Sequence, residues 1–253
     1  MRCPACDYGW SWHLSDGRRK CRSCGKRYTA KTVWSGSRLP DQTKRRLVEM
    51  FTLGVPSYRL RFRGIASAPA IERFYRTIRA CCAIEEHLRE PFEGSIECDE
   101  TTFGGARPGK RGWGAAGKII VFGILKRNGT IQAFPVDRRR KAEIEPLITR
   151  HTRPGSLYYT DDWHAYVSLS VRGNHIVVQK ERGKPKGRYH INGIEGFWSY
   201  AKHWLYPYRG VPKKFFHLYL AEVCYRFNHR TEDLYPLIIN ALQNTKYDII
   251  EPI

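Results

Sequence analysis

Four cysteines within the first 24 residues constrain this chain more than any other feature. Cys3 and Cys6 form one CxxC pair, Cys21 and Cys24 form a second, and 14 residues lie between the pairs. Two tight knuckles, each offering two thiolates, are what a tetrahedral structural zinc requires, and four protein ligands leave no open position for catalysis. The segment is short and rich in Arg and Lys, so its apolar core cannot fold it and metal binding has to supply the energy. A zinc ribbon holding one structural Zn²⁺ is therefore expected over residues 1–36, carrying Trp10 and Trp12. The other reading, four reduced thiols in a small core, fits the doubled spacing poorly. Cys81, Cys82, Cys98 and Cys224 lie in stretches that read as helix or strand, so no disulfide framework is expected.

A chain of 253 residues can hold one sizeable domain and one or two small modules beside the ribbon. Lys and Arg outnumber Asp and Glu by 44 to 24, a net charge of +20. Such a surface repels itself unless its usual partner is a polyanion, and plentiful Trp and Tyr can stack on bases, so nucleic acid is the expected partner. No apolar run reaches bilayer-spanning length, and the N-terminus lacks the apolar centre of a signal peptide. These features predict a cytoplasmic, nucleoid-associated protein with no membrane partner.

Residues 37–90 carry helical periodicity. DQTKRRLVEMFTLG ends at Gly54 as a helix would, VPSYRLRFRGIA follows, and APAIERFYRTIRACCAIEEHL places Ile71, Phe74, Ile78, Cys81 and Cys82 on one face. That order suits a helix-turn-helix-like DNA-binding module, and equally an ordinary three-helix bundle. Ser57, Arg59, Arg61 and Arg63 are its candidate phosphate contacts, or else a solvated basic face.

From residue 91 to 253 the pattern alternates strands and helices. SIECDETTFGG, KIIVFGILKR and TIQAFPVD read as strands, with Asn128-Gly129 forming a tight hairpin turn between the last two. A helix over RRRKAEIEPLITRHT, strands SLYYT and NHIVVQ, and helices over HINGIEGFWSYAK and KKFFHLYLAEVCYRF complete the order. A mixed α/β sheet flanked by helices, with antiparallel strands first, is the expected fold. The basic loop ARPGKRGWGAAGK lacks the ending of a Walker loop and reads as lying on a phosphate backbone, and KERGKPKGR reads as a second basic, polar loop.

Asp99 falls in the first of these strands, Asp161 at the end of the fourth, and Glu195 on the helix after the fifth, with 61 and 33 residues between successive acids. Three clustered carboxylates repel one another, so a stable cluster implies bound divalent cations or protons. Oxygen ligands suit Mg²⁺ or Mn²⁺, and two such ions about 3.5 to 4 Å apart serve phosphodiester chemistry. Alternatives stay open: strand alternation puts Glu97 on the face of Asp99 and Glu100 on the opposite one, and Asp162 reads as the cap of a short helix near Trp163. Phe197 and Trp198 read as packing residues. His164, His190 and His203 read as surface residues rather than ligands, and Asn228-His229-Arg230 as a helix end.

CDETTFGG, YTDDWHAY, HINGIEGFWSYAK and CYRFNHR resemble the signature blocks of bacterial insertion-sequence transposases of the DDE superfamily, nearest the ISXO-type group, which often begins with a zinc ribbon. The resemblance spans nearly the whole chain. It implies an RNase H-like catalytic fold over residues 91–253 and a two-metal mechanism using two Mg²⁺ or Mn²⁺ per site. Asp99, Asp161 and Glu195 would form the metal-binding triad, and Lys202, seven residues beyond Glu195, would lie near the phosphates. Some members use asparagine for the last acid, which makes Asn192 a supporting candidate. Double-stranded DNA, as terminal inverted repeats and as target, is the implied substrate, handled by a homodimer or higher assembly that frees 3′-hydroxyl ends and joins them to target. The rival expectations are another metal-dependent RNase H-like nuclease, or a zinc-ribbon regulator with an inactive catalytic domain.

Overall fold

A computed structural model describes residues 3–29, 31–104, 117–127, 129–161, 169–178, 187, 189–208 and 210–250. Asn128, Asp162, Trp163, His164, most of the Gly- and Arg-rich loop and most of the second basic loop lie outside them. The chain divides into two compact units, Met1–Cys81 with Tyr235–Ile253, and Cys82–Leu234.

In the first unit, β1 (Ser11–His13), β2 (Arg19–Cys21) and β3 (Arg27–Tyr28) form an antiparallel sheet in that order. A short helix α1 (Val33–Gly36) follows, capped reciprocally by Thr32 and Ser35. α2 (Asp41–Thr52) stops where expected: Gly54 takes a φ of +74°, which a side chain would oppose. The next stretch forms only a 3₁₀ turn at Ser57–Leu60, where an α-helix was expected. Pro56 and Gly64 bound it, and although Leu60 is buried, Tyr58, Arg59, Arg61, Phe62 and Arg63 are exposed, so one apolar anchor is too little to hold a longer helix. α3 (Ala68–His87) then buries Ile71, Phe74, Ile78, Cys81 and Cys82 as its periodicity predicts, and Tyr75 meets Phe51 of α2 edge-on at 5.2 Å.

The second unit is built on five strands: β4 (Ser95–Phe103), β5 (Ile119–Lys126), β6 (Ile131–Val136), β7 (Leu157–Thr160) and β8 (Asn174–Val177). Their order in the sheet is β6-β5-β4-β7-β8; β4, β5 and β6 are antiparallel neighbours, whereas β7 runs parallel to β4 and β8 parallel to β7. This is the mixed sheet expected of an RNase H-like domain. The β5–β6 connection differs from expectation: Lys126 N–H donates to Thr130 C=O and Gly129 N–H to Lys126 C=O, leaving three loop residues rather than two.

Helices cover both faces, so the strands are apolar on both sides. Ile96, Cys98, Phe122, Ile124 and Tyr158 pack with Ile144 and Ile148 of α4 (Lys141–His151) and with Leu169 of α5 (Leu169–Arg172). The other face carries Phe103, Val121, Leu125 and Tyr159 against α6 (Asn192–Leu205) and α7 (Phe216–Asn228). α7 also closes the outer edge: the Asn228 carboxamide accepts from Ile131 N–H at 2.8 Å and donates to Ile131 C=O at 2.9 Å, acting as a one-residue strand against β6. The last helix, α8 (Leu234–Asn244), belongs from Tyr235 onward to the first unit.

Candidate metal centres

The strand order reverses between β4 and β7: the chain steps outward one way through β5 and β6 and the other way through β8. In open α/β sheets the crevice beyond the carboxyl ends of two such strands is where ligands bind. β4 and β7 pair only as far as Glu97 with Tyr159. Two residues further along each strand stand Asp99 and Asp161, both continuing the face that meets α6. Carboxylate oxygens of Asp99, Glu100 and Asp161 all lie within 4.8 Å of one another.

Glu100 joins this cluster although alternation assigns it to the opposite face. Past Glu97 the β7 side of β4 has no strand partner among the described residues, which leaves a longer acidic side chain room to reach the edge. Its carboxylate is buried and accepts from Arg139 Nη2 at 3.1 Å. Glu97, the sequence alternative to Asp99, is committed elsewhere. It accepts Arg127 Nε and the amide of Ile194, both at 2.9 Å, and so caps α6 from β4 with an acid at the positive helix end. Gly193 makes that approach possible, because a Cβ there would stand 2.9 Å from Glu97 Oε2.

α6 and β4 then run side by side. Ile194 N–H meets Glu97, Trp198 Nε1 donates to Asp99 Oδ2 at 3.0 Å, and Lys202 Nζ donates to Thr101 Oγ1 at 2.8 Å. Four helical residues rise about 6.0 Å and two strand residues about 6.7 Å, so the two ladders stay in step. Trp198 reaches Asp99 by lying across Gly123, the residue paired with Asp99 on β5; a Cβ on Gly123 would sit 2.6 Å from the indole. A lone glycine inside an apolar strand was the sequence signal for that approach. Phe197 and Trp198 are buried, as packing residues should be. Burial lowers the pKa of Lys202, against the Asp99 carboxylate and together with Lys118.

Glu195 occupies the first turn of α6, exposed, and is not among the three clustered acids. Asn192 is exposed at the first position of the same helix, its amide donating to His190 Nδ1 at 3.3 Å. His203 is exposed as well.

The donor set fits a hard divalent cation. Three acids converge, and Asp161 Oδ1 is buried with no hydrogen-bond partner among the described residues. A buried anionic oxygen without a donor is costly, and a cation relieves it. Thr160 steadies the strand end, its hydroxyl donating to the Asp161 carbonyl and lying 2.8 Å from His175 Nε2. Burial lowers the His175 pKa, which favours a neutral ring.

The thiols of Cys3, Cys6, Cys21 and Cys24 also lie within 4.8 Å of one another, with Cys3 3.5 Å from Cys24 and Cys6 3.6 Å from Cys21. Sulfurs about 2.3 Å from one zinc are roughly 3.8 Å apart, so the thiols already stand close to the required spacing. The two knuckles match: Ala5 and Ser23 donate amides to Cys3 and Cys21, and each turn ends on a positive φ, at Asp7 and Gly25. Burial opposes ionisation of Cys21, yet the Cys24 and Ser23 amides and the neighbouring thiols bring its pKa down to about 6.

Residues 91–228 match the ISXO2-like transposase domain family. An uncharacterised transposase-like protein of Haemophilus influenzae is 35% identical over 91 residues, 36% of this chain and 74% of that protein. An uncharacterised protein in transposable element ISH50 of Halobacterium salinarum is 28% identical over 160 residues, 56% of this chain and 53% of its own length. Among solved structures, a chain of the simian T-cell lymphotropic virus intasome in complex with PP2A regulatory subunit B56 gamma is 15% identical, with 70% of this chain and 65% of that one covered at a TM-score of 0.34. A Mos1 transposase paired-end complex with the left transposon end is 9% identical, covering 82% and 81% at a TM-score of 0.26. Similarity that loose says nothing about activity. The family match spans more than half of the chain and contains Asp99, Asp161, Glu195 and Lys202, and the chain belongs to the ISXO2-like transposase domain family.

Proposed function

We propose that this chain is a DNA transposase that binds the terminal inverted repeats of its element, cleaves there to free 3′-hydroxyl ends, and joins those ends to target DNA. The observation that carries the proposal is the meeting of Asp99 and Asp161 at the strand-order reversal, with Asp161 Oδ1 buried and without a hydrogen-bond partner among the described residues. Asp99, Asp161 and Glu195 would hold two Mg²⁺ or Mn²⁺ ions. When bound, the ions activate the attacking oxygen and stabilise the leaving one.

The chain's own residues do the positioning. Trp198 holds one oxygen of Asp99 and so fixes the direction in which the carboxylate faces the cluster. Glu195 flanks the Ile194–Trp198–Lys202 stripe: at about 100° per residue it lies close to Lys202 in azimuth, on the border of the face that meets β4. Lys202, anchored on Thr101 next to Asp99 on that face, presents a cation to the DNA phosphate. Asn192, one turn before Glu195, supports the same end of the helix.

Residues 1–36, a zinc ribbon, and 37–90, a basic helical module, recognise the element ends, and 91–253 act as the catalytic part. Synapsis of two ends calls for a homodimer or larger assembly on nucleoid DNA in the cytoplasm. The test is to incubate purified protein with pre-cut element ends and a plasmid target in Mg²⁺. Joined product is expected. Cleavage without joining would mark the chain as a nuclease of the same fold, and binding without either reaction as a regulator.

A further inference from the structure

The small sheet of the four-cysteine module has two unlike faces. Strand alternation and the registers Ser11 to Cys21 and Arg19 to Tyr28 put Cys21 and Tyr28 on one face, where they cluster with Cys3. The opposite face takes Trp12, its partner Lys20, and Arg27 opposite Lys20. Arg22 N–H donates to Trp10 C=O, which extends the pairing and brings Trp10 and Arg22 onto the same face. All five side chains are exposed, Trp10 at 67% and Trp12 at 55%.

The small sheet, poor in core, carries Trp10 and Trp12 on its outside, although burying either ring would stabilise it. The Arg22 guanidinium lies 3.8 Å from the Trp12 ring centroid and 5.9 Å from that of Trp10, so it steadies both rings as a platform. The acids of residues 1–36 are Asp7 and Asp16, and both stand in turns, Asp16 paired with Arg18. The sheet face itself is cationic and aromatic.

We propose that this face binds unpaired DNA, stacking bases on Trp10 and Trp12 while Lys20, Arg22 and Arg27 take the flanking phosphates. Alternate strand residues stand about 6.8 Å apart, twice the base-stacking interval of about 3.4 Å. Duplex DNA offers its phosphates to such a surface but keeps its base faces stacked inside, so the tryptophans select single strands whereas the cations do not. The site serves a strand opened beside a cut. It does not depend on which acids perform the cut, so failure of the joining assay leaves it standing.

The test uses the full-length, zinc-loaded protein, an oligothymidylate of about 15 nucleotides, and a duplex of similar length at one fixed salt concentration. Trp10→Ala/Trp12→Ala is expected to weaken single-strand binding by about tenfold or more and duplex binding by less than about threefold, with zinc retained. Trp12→Phe against Trp12→Leu separates ring stacking from folding, because only the leucine variant should lose single-strand affinity. Equal losses on single strand and duplex, or unchanged single-strand binding, would overturn the proposal.

Discussion

The two candidate metal centres of this chain are assembled in opposite ways. The four thiols come from 22 consecutive residues, Cys3 to Cys24, so their cluster needs no distant part of the chain. The carboxylates of Asp99 and Asp161 come from neighbouring parallel strands, with 61 residues between them in sequence, and meet only because β7 lies beside β4. In the first case the ligands organise the fold, and in the second the fold organises the ligands. Removing ligands should therefore unfold the one and merely disarm the other.

Zinc removal gives the largest separation between them. Chelation, or Cys21→Ser, removes a contribution on the order of 10 kcal/mol from a module with few buried side chains. Hydrogen exchange should then show residues 3–28 unprotected while β4 and β5 stay protected. Loss of protection in both would mean that the sheet unit depends on the thiols.

The third acid provides a sharper contrast. Glu195→Gln should reduce end cleavage by about a hundredfold or more at unchanged melting temperature, and Glu100→Gln by less, since Glu100 already serves Arg139. The reverse order would make Glu100, Asp99 and Asp161 the working set. Smaller still is Gly123→Ala. A methyl group against the Trp198 indole should cost about 1–3 kcal/mol in denaturant unfolding and loosen Asp99 along with it. Wild-type stability there would mean that Trp198 does not depend on Gly123.

How much of this was legible in the sequence follows from the same contrast. The CxxC pairs announce their ligands because the spacing is local, and the order of strands and helices from 95 to 228 is legible because alternation and helical period are local too. That Asp99 and Asp161 come together was readable from Asp99 within the first strand, Asp161 at the end of the fourth, and the family blocks around them. Tertiary replacements for local rules were not readable. Glu97 looked like a ligand but caps a helix 97 residues away, and Glu100 looked misdirected until the β7 side of β4 ran out. Asn228 does end α7 as read, but that its carboxamide also bonds the edge of β6 was not readable. The basic stretch after Gly54 had a helix's sequence context but buries little beyond Leu60, and only a 3₁₀ turn formed.

The central claim is that Asp161 touches the metal that cuts DNA, and replacing its oxygen ligand with sulfur tests this most directly. Asp161→Cys should bind element ends normally, fail to cleave them in Mg²⁺, and regain cleavage in Mn²⁺, which accepts thiolate more readily. Normal cleavage in Mg²⁺, or inactivity in both metals by protein that still binds DNA, would contradict the account.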